Sequence, residues 1–263
     1  MSTDKPAVDW QGTHIARVRL DWPPGNRFTL ARLQSLYETL EALAEEGTLR
    51  CVQLVAAGDD FSHGADLADP GVAERMQQPD GLREAGLEIG SLGQRLIDRW
   101  RDMPVPTVIS VRGHVIGAGA CLFAAADFRI ATAGARIQFP EVDRGMYLSW
   151  GILPDLVHEF GPALARRLAV AGEMLPVSQL PPGVVSIVDD DADQAGAALA
   201  GELAAKPPLA VREILQVLHA LTRGDDSAVR EDAQRLADSF ASEDFLEAIS
   251  AWMEKRTPQY RGR

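Results

Sequence analysis

The sequence predicts a layered α/β core followed by a purely helical C-terminal region. Short, continuous apolar runs at Cys51–Ala57 and Thr107–Val111 read as strands covered on both faces. Helix-period stretches alternate with such runs, and from Ala192 onward only helical patterning is left. The expected division is a core over residues 1–190 that carries the functional site, and a helical region over 191–263.

The elements follow in order. His14–Leu20 alternates and reads as a strand, closed by the stiff turn Asp21-Trp22-Pro23-Pro24-Gly25-Asn26. Thr29 is placed to cap a helix running to about Glu46, with Leu30, Leu33, Leu36, Leu40 and Leu43 on one stripe. The strand at Cys51–Ala57 opens into the polar, glycine-bearing loop Gly58–Leu67, a position where loops often carry function. Residues 68–90 contain Pro70 and Pro79 and little periodicity, so mobility is expected there, with a helix only from about Ser91 to Arg101. Strands are expected at Phe128–Ala131 and Ala135–Phe139, then helices at Ile152–Glu159 and Pro162–Ala171, and a strand at Val184–Val188. Helices then run over Asp193–Ala205, Pro208–Thr222 and Ser227–Phe240, with a last one ending near Arg256.

Composition bounds the function. A chain of 263 residues with 46% apolar content can fill a large core. A formal net charge of -12 opposes nucleic acid and anionic membrane surfaces, both of which require a basic face. Cys51 and Cys121 each sit in an apolar segment and offer neither a disulfide framework nor a CxxC site, and no metal site is expected. MSTDKPAVDW lacks an apolar signal core and no stretch is long enough to span a bilayer, so a cytoplasmic location is expected.

Pro104–Glu141 is the stretch with chemistry in it. Gly117-Ala118-Gly119-Ala120 puts residues with almost no side chain where a helix begins, leaving backbone N–H groups bare at the positive end of the helix dipole. A developing anion can be held there by backbone alone, which is the principle of an oxyanion hole. The same small residues also allow a helix to lie tightly on a sheet.

FSHGADL at 61–67, PVPTVISVRGHVIGAGACL at 104–122, FPEVDRG at 139–145, AAKPPLAVRE at 204–213 and EDFLEAISAWMEKRTPQYRGR at the end resemble the enoyl-CoA hydratase/isomerase, or crotonase, superfamily in the family's order. The resemblance implies a crotonase-like spiral of ββα units, a C-terminal α-helical trimerisation region, and a homotrimer or hexamer built as a dimer of trimers. It also implies an acyl-CoA thioester as substrate, with coenzyme A present only as part of it and no permanently bound cofactor. By the same resemblance the amides of Ala65 and Ala118 hold the thioester oxygen, with Gly64 and Gly117 beside them. His63 stands where relatives turn a backbone carbonyl to the adenine, and Arg27 and Lys255 match regions that approach coenzyme A. Asp66 reads better as fixing its own loop than as a base.

Two departures bear on the reaction. Hydratases of the family carry a Glu shortly after the glycine run and a second about twenty residues later; here Cys121 stands at the first position and Glu141 at the second. Cys121 is read as a small buried filler, or as a thiol of lowered pKa in the first turn of a helix. Bulky Met146, Tyr147 and Trp150 replace the usual small-residue turn and either shape an acyl pocket or pack beneath it, while Ser149 replaces the Asp of dienoyl isomerases and dehalogenases. A single carboxylate beside an oxyanion hole can abstract a proton next to a thioester and return it elsewhere, so a 3-enoyl-CoA to 2-enoyl-CoA shift by Glu141 is expected. The alternatives are a hydratase in which Glu141 works with a substitute acid, and an acyl-CoA binding or scaffold protein without catalysis.

Overall fold

The computed structural model describes residues 4–66, 68–69, 72, 74 and 80–263. Strand β1 (Ala7–Gln11) pairs antiparallel with β2 (Ile15–Leu20) across a turn in which Gly12 takes φ +65°. Helix α1 (Leu30–Ala44) starts at Thr29, whose Oγ1 accepts the Arg32 amide at 3.2 Å, and it buries Leu33, Leu36, Leu40 and Leu43. Strand β3 (Cys51–Ala56) lies parallel to β2 and is buried along its whole length, as its unbroken apolar run requires.

The long helix α2 (Gly81–Arg101) leads to β4 (Thr107–Val111), β5 (His114–Ile116) and the short helix α3 (Ala118–Ala124). Next come β6 (Phe128–Thr132), β7 (Arg136–Gln138), α4 (Leu153–Phe160), α5 (Pro162–Ala169), β8 (Leu175–Pro176) and β9 (Ser186–Val188). The chain ends in α6 (Ala192–Ala204), α7 (Pro208–Thr222), α8 (Asp232–Ala241) and α9 (Glu243–Glu254). No helix among the described residues is long and apolar enough to cross a membrane.

Six strands form the main sheet in the order β1-β2-β3-β4-β6-β9, parallel beyond the first pair, and three form a second sheet, β5-β7-β8. The main sheet is covered on both faces. One face packs Cys51, Val108 and Ile130 against Ala192, Ala200 and Ala204 of α6. That approach is close enough that a Cβ on Gly196 would fall 2.1 Å from Ser110 Oγ. The other face meets α1, α2, α3 and the second sheet in a single large core that includes Trp22, Trp100, Phe123 and Phe139.

Several expectations from sequence change here. Strand β1 carries exposed and half-exposed positions, so AVDWQ gave no apolar signal. Helix α2 begins at Gly81 rather than near Ser91, because Ala85, Leu92, Leu96, Ile97 and Trp100 form a buried stripe that Gly86 and Gly90 interrupt in the sequence. Of the stretch 68–90 for which mobility was expected, residues 70, 71, 73 and 75–79 lie outside the described residues. β6 and β7 are successive strands but belong to different sheets, and the single helix expected over Ser227–Phe240 divides into a 3-10 segment at Asp226–Glu231 and α8. After residue 190 the chain plays two parts: α6 is a layer on the sheet, while α7 to α9 leave Ile214, Leu218, Leu236, Phe240, Leu246, Ile249 and Trp252 exposed.

Helix α2 supplies a paired test of packing. A Cβ on Gly93 would lie 1.9 Å from the Trp150 indole, whereas one on Gly90 meets nothing within 4 Å. Gly93→Ala is therefore expected to cost about 1–3 kcal/mol through overpacking. Gly90→Ala is expected to add about 1 kcal/mol from helix propensity. Urea denaturation of both variants checks this, and equal effects would contradict the contact.

Candidate active site

Two backbone segments meet at the centre of the molecule. The loop after β3 runs alongside β5, with Phe61 N donating to Arg112 O at 2.9 Å, Ser62 N to His114 O at 3.0 Å and Ile116 N to Ser62 O at 2.9 Å. This lets the loop behave as a further parallel strand, and the bridge between Ser62 and Val115 records it. The approach then tightens beyond what side chains tolerate. A Cβ on Gly64 would sit 3.1 Å from Ile116 O, one on Gly117 would sit 3.5 Å from Gly64 Cα, and one on Gly119 would sit 2.6 Å from Ser62 Cβ. Gly64 and Gly117 also take φ of +83° and +52°, where a side chain is strained.

The amides that follow these two glycines are both left over. Phe28 N donates to Gly64 O at 2.9 Å and Asp66 N to Phe28 O at 2.8 Å, so the intervening Ala65 N–H points to the opposite side of that parallel bridge. Ala118 is the first residue of α3, where an N–H has no intrahelical acceptor, and the Gly117 N–H before it is taken by Gln138 O at 3.0 Å. Among the described residues neither Ala65 N–H nor Ala118 N–H has a hydrogen-bond acceptor. Each of these amides follows one of the two glycines, Gly64 and Gly117, that touch.

Glu141 arrives at the same place through the second sheet. Parallel pairing of β5 with β7 sets Ile116 opposite Gln138, so the chain after β7 runs past Gly117. Glu141 Oε1 lies 3.3 Å from the point where a Gly117 Cβ would be, and Oε2 is buried with no hydrogen-bond partner among the described residues. Burial pushes the Glu141 carboxyl above its ordinary range, against the opposing effects of its own amide and of Arg144. A dry carboxylate with a lone pair free is suited to taking a proton.

Cys121 follows one helical turn after Gly117, fully enclosed. Burial first, then the nearby charges of Glu141 and Asp155, hold its thiol well above the ordinary value, so it stays protonated and the reading as a reactive thiolate fails. Asp66 accepts the Ala68 amide at 3.1 Å within its own loop. Arg27 is exposed one residue before the Phe28 that pairs with Ala65, and it stays beside the site. Lys255 is exposed at the C-terminal end of α9 with φ +56°, and no hydrogen bond or ion pair of its side chain is found among the described residues. Trp150 packs in the core against α2, while Met146 and Tyr147 face solvent.

Sequence reasoning missed the surroundings of His63. Its Nε2 lies 2.8 Å from Asp60 Oδ2, and His114 Nδ1 lies 2.8 Å from Asp60 Oδ1, which also accepts the His114 amide at 2.8 Å. Burial alone would raise the Asp60 carboxyl, but these hydrogen bonds outweigh it and hold the group down at about 2. The Asp-x-x-His spacing at 60–63 was the available signal; its partner fifty-one residues on from His63 was not visible before β5 was known.

Polar groups elsewhere fix the pieces that carry the site. Trp100 Nε1 donates to Leu122 O at 3.0 Å, tying α2 to α3. Arg129 closes the other end of α3, donating from Nε to Phe123 O at 2.8 Å and from Nη2 to Ala124 O at 2.6 Å. Arg101 grips Asp155 with two hydrogen bonds, 3.0 and 2.6 Å, in a buried pair that joins α2 to α4.

Comparison with known proteins identifies the family and the fold. The enoyl-CoA hydratase/isomerase family pattern matches residues 11–263. The 1,2-epoxyphenylacetyl-CoA isomerase of Escherichia coli (strain K12) is 30% identical over 250 residues, covering 90% of this chain and 91% of the relative. The 2,3-dehydroadipyl-CoA hydratase of the same organism is 28% identical, with 90% and 91% covered. A crystal structure of an enoyl-CoA hydratase from Bacillus anthracis superposes with a TM-score of 0.88 at 25% identity, covering 98% of this chain and all of that one. The β-strand spiral with its helical C-terminal region is therefore the crotonase fold, and the chain belongs to the enoyl-CoA hydratase/isomerase family.

Proposed function

We propose that the protein shifts a double bond in an acyl-CoA thioester, from 3-enoyl-CoA to 2-enoyl-CoA. The observation that carries this reading is the lone desolvated carboxylate: Glu141 stands beside the two unpaired amides, and the position of a second acid is filled by a buried, protonated Cys121. In this reading the thioester oxygen accepts from Ala65 N–H and Ala118 N–H. Glu141 removes a proton from the carbon next to the thioester, the electron pair delocalises onto that oxygen as a dienolate, and the proton returns two carbons further along. Each donor is stronger on the enolate than on the neutral carbonyl, which makes the pair a catalyst rather than a binding site alone.

Gly64 and Gly117 serve by admitting the two backbones to one another. His63, Arg27 and Lys255 are assigned to the coenzyme A end, Asp66 to its loop and Cys121 to the wall behind the base. The exposed apolar residues of α7 to α9 support a homotrimer or a dimer of trimers built through the C-terminal region.

Glu141→Gln is expected to lower isomerisation of a 3-enoyl-CoA by at least about 100-fold, read by mass spectrometry of products and deuterium uptake in D₂O. Ala118→Pro removes one N–H at a helix position that tolerates proline, and is expected to lower kcat by about 100- to 1000-fold. Unchanged double-bond migration in Glu141→Gln would remove the proposal. A 3-hydroxyacyl-CoA product would establish the hydratase instead, and binding without turnover the scaffold.

Glu141 also links function to stability. Because burial favours its neutral form, the folded chain binds this proton more tightly than the unfolded chain does. The stability it contributes is present below the ordinary carboxyl value of 4.5 and is lost as the pH rises through the raised folded value. Glu141→Gln, neutral at every pH, is expected to melt above wild type at about pH 8 and to lose that advantage near pH 4. A melting difference independent of pH would show that the carboxyl is not desolvated.

For the assembly, Trp252→Glu places a charge on the exposed face of α9 and is expected to reduce the mass found by light scattering toward that of one chain. A wild-type mass already equal to one chain would end the trimer reading.

A further inference from the structure

We propose that Asp60, His63 and His114 form a binding site for one first-row transition-metal dication of the zinc class, and that the ion staples the loop after β3 to the start of β5. Each of the three residues offers one ligand atom, and the three atoms lie within 4.8 Å of one another. The nitrogens turned on Asp60, Nε2 of His63 and Nδ1 of His114, are each 2.8 Å from one of its oxygens. Tetrahedral zinc at about 2.0–2.1 Å from each ligand needs ligand pairs roughly 3.3 Å apart, so small rotations of the rings suffice.

The donor set fixes the class of ion. Two imidazoles and one carboxylate suit zinc, cobalt or nickel, whereas calcium and magnesium call for oxygen cages. Three protein ligands leave a tetrahedral ion one position for water or another donor. The side chains of Asp60, His63 and His114 are 28, 34 and 43% exposed, so an ion can enter from solvent. Their supports are nonetheless rigid: the His63 amide donates to Gly25 O at 2.8 Å, and the His114 amide to Asp60 Oδ1 at 2.8 Å. To ligate, each neutral imidazole presents the nitrogen that faces Asp60 as a lone pair and carries its one proton on the other ring nitrogen, Nδ1 of His63 and Nε2 of His114. The Arg112 guanidinium is held on Ala56 O and on Asp193 rather than on Asp60.

The site shares His63 with the proposed coenzyme A end but does not include Glu141, Ala65 or Ala118, and it spans the two segments whose glycines touch. His63 immediately precedes Gly64, and His114 lies in the strand that ends at Ile116 before Gly117. Binding there fastens one segment to the other without contacting Glu141.

Isothermal titration of Zn²⁺ into chelator-treated, untagged full-length protein tests the proposal, together with visible absorption of Co²⁺ as a probe of tetrahedral nitrogen ligation. One equivalent is expected to bind, at least about tenfold more weakly in His63→Gln and in His114→Gln. His158→Gln, on the exposed face of α4, is expected to bind as wild type does. Should the two ligand variants fail to fold, imidazole ¹⁵N spectra of the wild type decide: the resonances of His63 and His114 must shift with Zn²⁺ while those of His14, His158 and His219 stay. Absence of one-equivalent binding, full retention of binding in both ligand variants, or shifts confined to the other histidines overturns the site. Equal binding of Mg²⁺ overturns the assigned class of ion.

Discussion

The structure depends on a close contact between two glycine-bearing stretches, 62–65 and 116–119. Gly64 and Gly119 cannot carry side chains where the stretches touch, because a Cβ on Gly119 would enter the Ser62 side chain and one on Gly64 would press on Ile116 O. What the side chains give up in packing, hydrogen bonds restore. Ser62 Oγ, fully buried, donates to Asn26 O at 2.9 Å and accepts the Gly64 amide at 3.0 Å. Asn26 in turn donates to Ala57 O at 2.8 Å and accepts the Trp22 amide at 2.8 Å, so the Pro-Pro-Gly turn, the loop and β3 are locked by one buried amide side chain. The side-chain polar atoms of Ser62 and Asn26 are all paired, which is the condition on which such a network rigidifies a core.

The unusual electrostatics of the site follow from the same contact. Glycine backbone presents no side-chain donor to Glu141, so the carboxylate that β7 delivers there has lost water and gained little in return. The contrast with Asp60 is instructive. That carboxyl sits only a few residues from Gly64, yet two rings and an amide hold it at about 2, while the Glu141 carboxyl is raised. Two acids near one backbone junction are thus pushed in opposite directions, one toward permanent charge and one toward proton exchange. Separation of that kind is what the proposed function requires, with the proton exchange placed on Glu141.

Much of this was legible in the residues. Cys51–Ala56 and Thr107–Val111 declare themselves because a buried parallel strand must be apolar on both faces, and α1 because its leucines repeat at helical spacing above a threonine cap. Gly117, Ala118 and Glu141 could be picked out from the glycine run and the motif after it. The pairing that unites them could not: β5 and β7 have three residues each, too short for periodicity, and their parallel register is decided by the fold around them. The first half of α2 was hidden because its exposed face carries Leu82 and Leu87, which blur the apolar stripe, and glycines break its helical signal. The environment of His63 was hidden for a different reason, since its partner His114 belongs to a strand that the sequence presented as the far side of a turn.

Cys121 bears most directly on which reaction this frame can support. Adding water across a double bond needs one group to activate the water and another to supply or relay the second proton, on geometry that two carboxylates can share. A thiol enclosed beside Glu141 is held protonated by burial and by the carboxylate's own charge, and it is a poor proton relay at neutral pH. Moving a double bond asks less. One base that lets go of the proton it has taken is enough, and a raised carboxyl pKa brings Glu141 closer to releasing and recapturing that proton with equal ease. In the proposed reading, a buried, protonated thiol beside a desolvated Glu141 leaves one base at the site, which is all the single-base reaction asks.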